Sequence, residues 1–240
     1  MPASARKEDP GTQRQVDRLI NFSDAVVAVA ITLLALPLVD IEGPQGTETI
    51  WSVLGENAGQ ITAFLFTFFV VTMMWLAHNR ILRNLAAIDG MIFWLNTGCL
   101  TAIVLLPWVT DMYGDTDMWG SEASAAQSDV GMVYWGLLAW LAFAGGAIGW
   151  HLDKRPDLRF DDSRSFPPHS LVRWRGLAFM TFFLFVGVVS MVSAQAGRWL
   201  PLLIIPLTIL LRDRGRKGSL VDLPGPADTQ DAAAASTTKE

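Results

Sequence analysis

The chain has 240 residues, of which 51% are hydrophobic and only 17% charged, with a formal net charge of −5. A soluble domain of this length carries more charge, and here the charges cluster and leave long uncharged runs. The composition therefore excludes an ordinary water-soluble enzyme or a basic nucleic-acid binder and points to an integral membrane protein. Cys99 is the single cysteine, so no intrachain disulfide is available.

A bilayer core of about 30 Å takes roughly 20 apolar residues in a helix, and six candidate spans meet or approach that length. The first runs from about Leu19 to Val39. The second lies between Glu56 and Arg80, and the third between Asp89 and Asp111, with no Asp, Glu, Lys or Arg inside either. The fourth covers Val130 to Trp150 and the fifth about Leu171 to Ala194. The sixth, Arg198 to Leu211, is short and holds Pro201 and Pro206, so it either crosses with a kink or dips without crossing. No cleavable leader is read before the first span. The expectation is an all-α polytopic membrane protein: a transmembrane unit over 15–212, a disordered N-terminal segment 1–14 and a disordered tail 213–240.

Lys and Arg fall on alternate connections. Arg6, Lys7, Arg14 and Arg18 precede the first span, and Arg80 and Arg83 follow the second. Lys154, Arg155, Arg159, Arg164, Arg173 and Arg175 lie between the fourth and fifth, and Arg212, Arg214, Arg216 and Lys217 follow the sixth. By the positive-inside rule, both termini are expected in the cytoplasm. The opposite loops are acidic, with Asp40, Glu42, Glu48 and Glu56 in one and Asp111, Asp115, Asp117, Glu122 and Asp129 in another. Such a surface either raises the local cation concentration or only keeps the loops soluble.

The first span holds the densest information. Ala25 to Val39 is uncharged for fifteen residues, about 23 Å at 1.5 Å per residue. Ser23 and Asp24 must then lie near the inner boundary, where charged groups are costly and usually serve fold or transport. One reading makes them helix caps; the other starts the helix earlier, because the residues from Arg18 to Phe22 are compatible with it. Phe22, Val26, Val29, Leu33, Leu36 and Asp40 recur at steps of four and three. Ala25, Ala28, Thr32 and Ala35 form a small-residue stripe beside them, which suits close helix packing. From periodicity alone the bulky stripe faces lipid or the bundle; lining a narrow hydrophobic passage is the second reading. Pro37 removes a backbone donor and frees the carbonyl of Leu33.

Trp75, His78 and Asn79 close the second span, and Asn96 lies in the third at the same depth as Ser23 and Asp24. Groups at matched depth on three helices can satisfy one another where lipid cannot. His151 and His169 read as solvated loop residues, and Trp51, Trp108, Trp150, Trp174 and Trp199 as interfacial anchors. No CxxC or HExxH pattern, Gly-rich phosphate loop or catalytic triad order is present, so neither a metal site nor an enzyme is expected.

Arg18-x-x-x-Phe22-Ser23-Asp24 followed by Ala30-Ile-Thr-Leu-Leu34 resembles the signature of the lysosomal potassium channel family, transmembrane protein 175. Trp75-x-x-His78, Leu95-Asn96 and Leu106-Pro107 support the likeness, which extends from about Arg14 to Arg212 and is similar to the family's bacterial, single-repeat members. The resemblance implies a homotetramer in the bacterial inner membrane, with the first helix of each copy lining a central pore that prefers potassium. It places the constriction at Val29, Leu33 and Leu36, where relatives often carry isoleucine at the first of these, and the outer mouth at Asp40. It assigns Arg18, Phe22, Ser23, Asp24, Trp75, His78 and Asn96 to the network that holds the pore helix and the assembly. Potassium ions and the bilayer are the partners it implies, with no cofactor and no nucleic acid. The competing readings are a proton-linked transporter using Asp24 and His78, and a non-conducting scaffold.

Overall fold

The computed structural model describes residues 10–115, 125–160, 169–192 and 200–204. The chain divides into two units, residues 1–201 and 202–240, and only 202–204 of the second are described. Among the described residues the protein is all-α. Its helices are α1 (Pro10–Leu33), α2 (Leu36–Val39), α3 (Ile50–Glu56), α4 (Ala58–Leu82), α5 (Gly90–Asp115), α6 (Ala125–Lys154) and α7 (His169–Val192), with short 3-10 turns at Pro156–Leu158 and Leu200–Leu203.

Among the described residues, four stretches are long and apolar enough to cross a membrane: 11–39, 58–82, 90–115 and 129–154. They coincide with the first four expected spans, because a backbone in lipid must satisfy its own hydrogen bonds and a helix does so within one segment. The fifth expected span falls on α7, whose apolar part, Arg175–Met191, is shorter. The sixth lies outside the described residues except for 200–204, as do 1–9 and the tail.

α1 begins at Pro10, ahead of the boundary expected at residue 14, and carries Ser23 and Asp24 well inside it. They are not caps. The helix breaks before Pro37: Leu34 N still reaches Ala30 O at 3.1 Å, whereas Ala35 N turns to Thr32 O at 3.2 Å. Pro37 has no N–H for the carbonyl of Leu33 and instead opens α2, where its fixed φ is accommodated. The connection from 40 to 57, expected as an acidic loop, contains α3. A reciprocal capping box between Thr49 and Ser52 starts it, and Val53 is its buried anchor.

Close approach of backbones fixes two helix pairs. A Cβ on Gly176 of α7 would stand 2.6 Å from Gly146 Cα on α6, and one on Gly114 of α5 would stand 2.8 Å from Gln60 Cα on α4. Apolar faces gain little by leaving lipid, so such van der Waals contact is a main source of helix association. At the end of the bundle near Asp89, a cluster of Val16, Ile20, Ile81, Leu82, Leu85, Ile92, Ile148, Leu152 and Leu158 ties the start of α1 to the ends of α4 and α6. Across it, Ala86 N donates to Leu158 O at 2.8 Å and Phe160 N to Asn84 O at 3.3 Å, so the α4–α5 connection is strapped to the segment after α6.

Candidate ion pathway and the polar junction behind it

α1 has two unlike faces. Val16, Ile20, Ser23, Val27, Ala30 and Leu34 are buried at steps of four and three and pack against the rest of the chain. The other face carries Phe22 (61% exposed), Val29 (59%), Leu33 (43%) and Leu36 (60%). Arg18, Ala25, Ala28, Thr32 and Asp40 are also exposed, and Val26 is half-buried. The small-residue stripe is thus not the face that packs within one subunit. It lies beside the bulky stripe, and among the described residues both are largely exposed, with Val26 and Ala35 half-buried. Thr32 satisfies its hydroxyl locally by donating to Val29 O at 2.7 Å.

Behind this face, polar side chains from α1, α4 and α5 meet. Asn96 Nδ2 lies 3.0 Å from Ser23 Oγ, and Ser23 Oγ lies 2.8 Å from Leu19 O. His78 Nε2 stands 2.8 Å from Asn96 Oδ1. The donor inventory orders these contacts. A carbonyl only accepts, so Ser23 donates to Leu19 O and accepts from the Asn96 amide. The amide oxygen is then free to accept from His78, which selects the tautomer with hydrogen on Nε2. Ser23 and Asn96 are both buried, and the Ser23 hydroxyl and both ends of the Asn96 amide have partners, as burial requires.

A second group gathers on Asp24. Its Oδ1 accepts from Trp75 Nε1 at 2.8 Å and from Asn79 Nδ2 at 2.6 Å. Asn79 Oδ1 accepts from Arg83 Nε at 2.5 Å. The structure therefore brings Ser23, Asp24, Trp75, His78 and Asn96 together, in two branches. It leaves Arg18 and Phe22 exposed and apart from them within one subunit. Asn79 and Arg83 were not among the expected members. Their signal was present, since Trp75, Asn79 and Arg83 are each four residues apart and so share one stripe of a helix, while His78 falls on the neighbouring stripe toward α5.

Two other pairings had no such signal. His151, expected as a solvated loop residue, lies in the last turn of α6, half-buried, with Nε2 2.5 Å from Asp89 Oδ2. Asp89 also caps α5 by accepting from Ile92 N at 3.0 Å. Burial works against its charge, but the Ile92 N–H, His151 and Arg155 together hold its carboxyl below the usual carboxylate range. Nearer the other end, Thr67 donates to Ala63 O at 2.7 Å, so its oxygen accepts from Tyr134 at 2.6 Å and from Thr110 at 3.3 Å. There Gln60 donates to Asp115. Among the described residues, no group of three or more His, Cys, Asp or Glu side chains is placed to hold a metal ion.

Comparison with known proteins places these features. The profile of the endosomal/lysosomal potassium channel TMEM175 matches residues 18–107, the stretch that holds the exposed α1 face and both polar branches. "Potassium channel B446_29190" of Streptomyces collinus is 32% identical over 162 residues, 66% of this chain and 74% of that one. "Endosomal/lysosomal proton channel TMEM175" of Homo sapiens is 32% identical over 108 residues, 45% of this chain and 21% of the relative, so the chain matches about a fifth of the animal protein's length. The crystal structure of a lysosomal potassium-selective channel TMEM175 homolog from Chamaesiphon minutus has the same fold. Its TM-score is 0.64 with 22% identity, covering 84% of this chain and 98% of that one. These proteins are ion channels and not enzymes. The protein is a multi-pass membrane protein, and the chain belongs to the TMEM175 family.

Proposed function

We propose that the protein is a potassium-preferring cation channel in which four copies of α1 surround a central pore. The observation that carries this reading is the asymmetry of α1. One face is fastened to its own subunit through Ser23 and Asp24, and the other presents bulky apolar side chains left exposed among the described residues. Copies meeting along that face would set Val29, Leu33 and Leu36 in successive rings. A dry aliphatic ring conducts only ions that shed water, and it closes by dewetting; potassium loses its hydration more cheaply than sodium. Asp40, just beyond the constriction, would concentrate cations at the outer mouth. The basic segments put both termini in the cytoplasm of a bacterial inner membrane, with 15–212 as the channel unit, and no cofactor beyond the permeant ion is required. The names of the bacterial relatives as potassium channels support the same reading.

Flux from proteoliposomes carrying a potassium or a sodium gradient tests it. Faster flux with potassium is expected. Equal flux would remove the preference, and tight vesicles containing folded protein would remove the channel. The animal relatives are named proton channels, which favours proton permeation as a second reading. A pH-sensitive dye inside the same vesicles reports it.

A further inference from the structure

Asp24 reaches α4 through a single oxygen, and the residue next to that oxygen is neutral. Asn79 is buried and stands between Asp24 and Arg83, donating to the carboxylate at 2.6 Å and accepting from the guanidinium at 2.5 Å. A carboxamide has one donor end and one acceptor end. Only its NH2 can address an anion and only its oxygen can address a guanidinium, so the two charges leave the amide one orientation. A direct pair between Asp24 and Arg83 would rest on the long, flexible arginine side chain, which loses entropy when held in one geometry. The intervening amide connects the same charges through a short, rigid group.

We infer that Asn79, held in orientation by Arg83, is a positioning residue of the ion pathway: it fixes the rotation and height of Asp24, and through it the exposed face of α1 that bears Val29 and Leu33. The inference rests on the channel reading for its functional consequence, but not for its structural one. Turning α1 by one residue would swing Val29 and Leu33 by about 100°, given 3.6 residues per turn, so the register of this contact sets which side chains could meet at an axis. Among the described residues the other charged or titratable groups around Asp24 are His78 and Arg83 on α4; Arg18 on α1 is exposed and apart from it. α5 contributes Asn96, which does not titrate.

Asn79→Asp separates positioning from general loss of packing. At pH 8 two carboxylates would face each other and the bond is lost. At pH 5 a proton shared between them rebuilds an O–H to carboxylate bond. The variant is expected to melt below the wild type in detergent at pH 8 and to carry severalfold less potassium flux, recovering toward the wild type at pH 5. Asn79→Ala is expected to stay low at both. Each is compared with the wild type at the same pH, so that any pH effect shared by all the proteins cancels. Arg83→Lys should preserve both readouts, since an ammonium also donates to the amide oxygen, and Arg83→Ala should lower both; this pair decides the matter if the Asp variant does not fold. Wild-type behaviour of Asn79→Asp at pH 8, matching pH-independent deficits in the Asp and Ala variants, or identical Arg83→Lys and Arg83→Ala proteins would overturn the inference. If the wild type itself carries no flux, the channel reading fails, while the melting profiles still report on Asn79.

Discussion

Asn96 on α5 and Ser23 on α1 are separated by 73 positions in the chain and meet with 3.0 Å between Nδ2 and Oγ. Because His78 on α4 occupies the other end of the same amide at 2.8 Å, one side chain joins three helices. Asn96→Leu keeps the volume and removes both bonds, leaving the half-buried His78 N–H unpaired and the buried Ser23 hydroxyl without its amide donor. The expected cost is about 1–3 kcal/mol, seen as a lower melting temperature of the purified protein. A variant that melts with the wild type would deny the junction its structural role.

Val29 and Leu33 belong to the uncovered face of α1. Val29→Asn wets the proposed ring and Leu33→Ala widens it, so both should raise sodium permeability relative to potassium in bilayer recordings. A tenfold change in the permeability ratio corresponds to about 1.4 kcal/mol of discrimination. Unchanged selectivity and conductance in both variants would take α1 out of the pore.

Asp24 receives Trp75 Nε1 and Asn79 Nδ2 on one oxygen. Asp24→Ala strands both donors, and hydrogen bonds to a charged group contribute about 1.5–3 kcal/mol each. The expected result is a lower yield of assembled oligomer in detergent, larger than any fall in single-channel conductance of the oligomers that form. Normal assembly would defeat the anchoring role.

Asp89 gives a pH dependence with a definite sign. Its folded carboxyl titrates below the usual value, so the native state binds this proton less readily than the unfolded chain does. The added stability is therefore present above the ordinary carboxylate range, near 4, and is lost as pH falls through the lowered folded value. Asp89→Asn should melt below the wild type at neutral pH, with the difference shrinking only under strongly acid conditions. A difference that closes already between pH 7 and 5 would contradict this.

Gly176 lies against the backbone of Gly146. Gly176→Ala must push α6 and α7 apart, at a cost of about 1–3 kcal/mol. A thermal scan checks this, and an unchanged melting temperature would show that the pair has slack.

The sequence carried the spans because the thickness of the hydrocarbon and the need to close backbone hydrogen bonds leave few other structures for such apolar runs. Matched depth foretold that Ser23, Asp24, His78 and Asn96 would lie at one level, and the i, i+4 spacing of Trp75, Asn79 and Arg83 held a stripe that could have been read. Spacing does not say what a stripe meets. The division of the junction into an Asn96 branch and an Asp24 branch, and the bond between His151 and Asp89, depend on how α4, α5 and α6 are rotated. The face of α1 that packs was hidden for a related reason. Lipid is as apolar as a protein core, so Val27 and Val29 are alike in sequence, and only the tertiary structure buried the first and left the second exposed.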